Sequence, residues 1–138
     1  MSVLTETRER FLLAILADVP ADRVAEIHFF QPIKQGGVES GVAVVAAWSE
    51  SSDPAGEPPR AIARDERHVV YTARYRYTLK GPDRGKWETN VVAEADAPLV
   101  TVDAVVRGVQ RRAGDVDDPT RMERDEVRAF ASARPLAP

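Results

Sequence analysis

The sequence predicts an α+β fold: a four-stranded antiparallel sheet of two successive hairpins, with an N-terminal helix and one or two C-terminal helices, in the order α-β-β-β-β-α-(α). Three observations point there. Residues 23–33 and 38–49 are rich in β-branched and aromatic side chains and are separated by Lys34-Gln35-Gly36-Gly37. Residues 67–80 carry the cleanest period of two in the chain, and after Gly81-Pro82-Asp83-Arg84-Gly85 a second alternating run extends to Ala95. Apolar residues at helical spacing flank this β-rich middle on both sides. A chain of 138 residues has the usual size of one domain, so residues 1–133 are expected to form a single α+β domain and 134–138 a frayed tail.

The first helix is expected from about Ser2 to Ala17, because Leu4, Phe11, Leu12, Ile15 and Leu16 form one stripe and Pro20 lies just past its end. In the first hairpin, Gly36-Gly37 can supply the two positive φ angles of a type I′ turn. Opposed residue numbers then sum to 73, which sets Lys34 against Glu39, Phe29 against Val44, Ile27 against Ala46 and Ala25 against Trp48. The other side of this hairpin, with Phe30 against Ala43 and His28 against Val45, is also largely apolar, so its second face needs a cover, either the third helix or a second copy of the sheet. Residues 50–60, Ser-, Pro- and Gly-rich, read as a surface loop.

In the second hairpin Val69, Tyr71, Ala73, Tyr75 and Tyr77 alternate with Val70, Thr72, Arg74 and Arg76. Closure by Lys80 and Lys86 would set Leu79 against Trp87 and Tyr75 against Val91. A second helix follows from Val102, Val105, Val106 and Val109, with Thr101 as N-cap, Arg111 and Arg112 in its last turn and Gly114 beyond it. Asp118-Pro119 can open a third helix to about Ala133, although only Met122, Val127 and Phe130 give it an apolar side. The first two helices are expected on one face of the sheet.

Composition narrows the function classes. With no cysteine, disulfide scaffolds, cysteine-based zinc sites, iron–sulfur clusters and thiol nucleophiles are excluded. A net charge of −3 gives no global pull toward nucleic acid or anionic lipid. No export signal or apolar stretch of membrane-spanning length is visible, so a cytoplasmic location and no membrane partner are expected. Sixteen arginines against three lysines suit a GC-rich bacterial genome.

Few motifs carry chemistry. The two histidines, His28 and His68, lie in different expected strands without HxH or HExxH spacing, so neither a metal site nor any other cofactor is expected. No GxSxG, GxxxxGK[ST] or GxGxxG occurs, and the adjacent pairs Asp65-Glu66 and Asp117-Asp118 do not face one another in regular structure; no residue is expected to be catalytic. The segment from Arg60 to Lys86 is locally basic, with eight Lys and Arg against three Asp and Glu, and it contains Arg74-Tyr75-Arg76-Tyr77. Strand alternation puts those tyrosines and arginines on opposite faces, which argues against a nucleic-acid platform combining stacking with phosphate contacts.

Two readings of function remain. The leading one is a non-enzymatic protein acting by association, as a homodimer or adaptor, through an apolar second sheet face made of His28, Phe30, Ala43, Val45, Val70 and Val92. The alternative is a small-ligand-binding domain, or a minor enzyme, with an apolar pocket between helices and sheet lined by Phe29, Trp48, Tyr71, Tyr75 and Trp87. The two separate on whether these aromatics close on one another or border a cavity with converging polar groups.

Overall fold

A computed structural model describes residues 6–47, 67–93, 100–112 and 119–133. The elements are α1 (Glu6–Asp18), β1 (Val24–Phe29), β2 (Ile33–Gln35), β3 (Val38–Ala47), β4 (Arg67–Thr78), β5 (Trp87–Ala93), β6 (Val100–Thr101), α2 (Val102–Arg112), β7 (Thr120–Glu123) and α3 (Arg124–Ala133). The class is the expected one, α+β with an antiparallel sheet. The sheet is larger than the four strands expected: its path runs β5-β4-β3-β1-β7, with β2 paired to β3 and β6 to β4. The expected 50–60 loop, the Asp118 cap and the 134–138 tail lie outside the described residues.

The extra edge strand comes from the segment read as the start of the third helix. Thr120 to Glu123 pairs antiparallel with β1, setting His28 opposite Arg121 and Ile27 opposite Met122. Alternation explains the switch: Met122 enters the core while Glu123 faces water. Helix α3 starts only afterwards, where the Glu123 backbone N–H donates to Glu126 Oε1 at 3.2 Å, half of a capping box.

The first hairpin keeps its turn and changes its register. Gly36 and Gly37 have φ of 61° and 76°, and Lys34 faces Glu39 as expected. Beyond Gln31-Pro32 the strand carries one extra residue, so Phe29 faces Ala43, Ile27 faces Val45 and His28 faces Val44. Proline has no N–H for the ladder, and a bulge there absorbs the extra residue. A second irregularity lies between Val24 and Glu26. In the second hairpin the loop is wider than expected, and Tyr77 faces Trp87 while Tyr75 faces Thr89. That shift is two residues, so the assignment of residues to faces survives; the one-residue slip in the first hairpin does not leave its faces unchanged.

Both faces of the sheet are covered within the chain. Phe11, Leu12 and Ile15 of α1 pack with Ile27, Phe29, Ala43, Val45, Ala73 and Tyr75, and Val127 and Phe130 of α3 join the same cluster. Val102, Val106 and Val109 of α2 pack against Phe30, Val44, Ala46 and Val70 on the opposite face. The expectation that the first two helices share a face is therefore corrected: α1 and α3 share one and α2 takes the other. Its cause is the parity of β1 and β3, which gives the second face its own apolar stripe for the valines of α2 to bury. No helix among the described residues is long and apolar enough to cross a membrane.

Candidate functional site

The register decides where the singled-out residues fall. Ala43 and Val45, read from the sequence as second-face residues, belong to the face under α1, because the slip at Gln31-Pro32 shifts their partners by one. Phe30 and Val70 lie under α2. His28 is 1% exposed and faces the same way as Glu26. Val92, on β5, is 49% exposed. Of the expected pocket residues, Trp48 lies outside the described residues, and the others sit on the α1 face. Phe11 joins the aromatic cluster at their centre, its ring centroid 6.2 Å from Phe29 and 4.7 Å from Tyr75, while Tyr75 stacks on Trp87 at 4.9 Å. Tyr71 packs at the margin. Arg74 and Arg76 are exposed on the side away from Tyr75.

These aromatics close on one another and also border a cavity. Where β1 leaves the sheet at Gln31-Pro32, a pocket of about 610 Å³ opens between α1 and the end of the sheet. Phe29 and Tyr75 form part of its wall with Phe11, Phe30 and Val42; Arg8, Lys34 and Glu39 supply its charges. The polar members are held by rigid elements. Glu39, 7% exposed, sits on the α1-facing side of β3, where the Tyr75 hydroxyl donates to its Oε2 at 2.5 Å and Lys34 Nζ lies 3.9 Å from its Oε1. Arg8, one turn before Phe11 on α1, places its guanidinium 5.1 Å from the centre of the Phe29 ring. Burial lowers the Arg8 pKa, opposed by the attraction of Tyr75.

Gly41 lets this arrangement exist. It pairs directly with Tyr75 across β3 and β4, and the tyrosine ring lies over its Cα, so that a Cβ there would stand 2.0 Å from Cε1. The ring thereby reaches along the sheet to bring its hydroxyl to Glu39.

Burial raises the Tyr75 phenol above its ordinary pKa near 10, and the hydrogen bond and charge of Glu39 push the same way against the pull of Arg8. The folded state thus holds this proton where the unfolded chain releases it, and stability falls as pH rises above about 10. Ultraviolet titration of the phenols with parallel denaturant melts checks this. Tyr75→Phe should flatten the alkaline loss while lowering stability near neutrality by about 1–3 kcal/mol, since Glu39 stays buried without its donor. An unchanged alkaline slope in that variant would remove Tyr75 as the cause.

A second polar cluster lies on the α2 face. His28 Nε2 is 2.5 Å from Glu26 Oε2, and Arg121 Nε is 3.4 Å from the same oxygen. Arg121 also reaches Glu123 at 3.1 Å. His28 Nε2, Arg121 Nε and Glu26 Oε2 stand close together without a hydrogen bond among the three atoms. A polar cavity of about 590 Å³ adjoins them, edged by the Asp103–Arg107 pair and Gln110 of α2. Each cation here stands against a carboxylate of the protein itself, and the cluster joins β7 to β1. Among the described residues, no three His, Asp or Glu side chains are grouped to hold a metal ion.

Arg8, Glu26 and Arg121 were not among the candidate residues of the sequence, and Lys34 and Glu39 entered there only as a cross-strand pair. Glu39 had a signal, since it shares strand parity with Gly41, Ala43 and Val45, and a carboxylate in a core stripe asks for a partner. No protein-family model, curated protein or solved structure matches the chain, so a functional reading rests on the geometry of these two clusters.

Proposed function

We propose that the protein binds a small organic molecule in the cavity between α1 and the end of the sheet. The observation that carries this reading is the combination in one recess of about 610 Å³ of an aromatic wall, from Phe11, Phe29 and Phe30, with the charged groups of Arg8, Lys34 and Glu39. Small-molecule sites have this size and this division between apolar lining and a few placed polar groups. Coverage of the second sheet face by α2 also favours a pocket over association through that face.

A neutral solvatochromic dye, N-phenyl-1-naphthylamine, tests the cavity without presupposing the charge of its occupant. Saturable one-to-one binding with a blue-shifted emission is expected. Thr7 lines the recess from α1 and is half-buried, so Thr7→Trp should fill the opening and cut dye affinity by about tenfold or more while leaving the circular dichroism unchanged. Absence of saturable binding by the wild type would overturn the reading.

One observation favours association as a second reading. Strand β5 is the sheet edge opposite β7, most of its side chains are exposed, and Val92 is a large apolar residue among them. A second copy adding to that edge would form a homodimer by strand pairing. Sedimentation velocity that shows a monomer at all accessible concentrations removes it.

A further inference from the structure

We propose that the protein has a second site on the α2 side of the sheet, an open recess over β3, β4 and β5 that takes the phosphate monoester of a small molecule between Arg74 and Arg76. It lies across the sheet from the α1 cavity and goes beyond the reading above.

Strand geometry builds the recess. Helix α2 covers only the Val44 and Ala46 end of this face. Toward the β2–β3 turn the face lies open, and a recess of about 620 Å³ is lined there by Ser40, Val42, Arg74, Arg76, Glu88 and Asn90. Arg76 stands between Ser40 on β3 and Glu88 on β5, and Arg74 between Val42 and Asn90. Two residues apart on one strand, the arginines share a side, with their Cα atoms about 7 Å apart. Val42 is half-buried and gives the recess an apolar floor.

Charge and donor chemistry decide the occupant. Among the described residues neither guanidinium has an ion pair, a hydrogen bond or a ring contact. The carboxylate in the lining, Glu88, stands 3.1 Å from Lys86 Nζ, which matches its charge. Two cationic charges are left, and a phosphate monoester, carrying about −1.5 to −2 near neutral pH, balances them. Its oxygens suit two planar N–H forks, and the Ser40 hydroxyl and Asn90 amide add donors beside them. Nucleic acid fits less well. Tyr75, Tyr77 and Trp87 pack on the α1 side, so the rings nearest these arginines in sequence face away from them and offer no base a platform.

Phenyl phosphate and phenyl sulfate share a body and a tetrahedral head and differ by about one charge. Each is titrated near neutral pH into isotope-labelled protein, with the arginine Nε–H signals as reporters. Phenyl phosphate is expected to bind saturably, to shift the Nε–H signals of Arg74 and Arg76 and the amides of Ser40 and Asn90, and to bind about tenfold more tightly than the sulfate. Arg74→Gln with Arg76→Gln should cut its affinity about tenfold to hundredfold and leave the circular dichroism unchanged, since both side chains are exposed. Arg74→Lys with Arg76→Lys keeps the charges, loses the forks and should fall between. Equal binding of phosphate and sulfate, shifts confined to other residues, displacement of N-phenyl-1-naphthylamine from the α1 cavity, or no saturable shift would overturn the site. A single-stranded oligothymidylate that binds this face without competition from phenyl phosphate would overturn it in favour of nucleic acid.

Discussion

Gly41→Ala is expected to destabilise the fold by about 3 kcal/mol, combining overpacking with the loss of a buried hydrogen bond. The added Cβ would stand 2.0, 2.7 and 2.8 Å from Cε1, Cζ and Cδ1 of Tyr75, so the ring must leave. It has little room, being held between Phe11 at 4.7 Å and a stacked Trp87 at 4.9 Å, with its hydroxyl tied to Glu39. Any displacement therefore disturbs the aromatic cluster and strips the buried carboxylate of its donor together. On the β4 side the strand backbone is held as well, since Gly41 sits within the continuous β3–β4 pairing. Equilibrium denaturation gives the stability, and Trp87 emission reports the stack. A double-mutant cycle isolates the cause: once Tyr75→Ala has removed the ring, Gly41→Ala should cost far less, with a coupling of about 2 kcal/mol. Additive losses would mean that the ring is not what requires glycine. The same substitution should weaken binding in the α1 cavity, because Tyr75 and Glu39 are both part of its wall.

The elements that could be read from the sequence are those whose local pattern and tertiary role agree. The period of two in β4 placed Tyr71, Ala73, Tyr75 and Tyr77 on one face and Val70 on the other, and the structure keeps that division. The valines of α2 needed only their spacing to mark a buried stripe. What escaped was set by single residues acting on register. One extra residue at Gln31-Pro32 moved Ala43 and Val45 to the α1 face, a change that alternation alone does not reveal because both sides of β1 and β3 are apolar. Strand β7 escaped for a different reason. Four residues hold too short a pattern to separate strand from helix, and the free edge of β1 decided the matter. In the site, Lys34 and Glu39 were paired correctly by the glycine turn, yet nothing local showed that the pair opens onto a recess. That recess depends on Arg8, a helix and a strand away in sequence.

Glu26→Ala is expected to cost about 1–3 kcal/mol, because it strips the buried His28 of the carboxylate beside it, while Arg121 keeps its contact with Glu123. The side chain of Glu26 is 5% exposed and that of His28 1%, whereas Arg121 is 34% exposed and can recover part of its hydration. Loss of the carboxylate thus falls mainly on His28 and on the packing of β1. Its structural consequence should be local as well as global. Glu26 lies opposite Glu123 and its carboxylate holds Arg121, so the short strand β7 loses an ionic tie to β1. Hydrogen exchange should then show faster exchange at the amides of residues 120–123 than at those of the β3–β4 ladder, a difference that uniform destabilisation would not give. The compensating experiment replaces the whole cluster. Glu26→Met, His28→Leu and Arg121→Met together exchange ionic contacts for apolar packing beside Val44, Ala46 and the α2 valines, and should restore most of the stability lost by Glu26→Ala. If the triple variant is no more stable than the single, the cluster contributes directly to stability beyond the cost of leaving its members unpaired, and the polar recess beside Asp103, Arg107 and Gln110 gains weight as a site that the protein keeps charged at a cost to its fold.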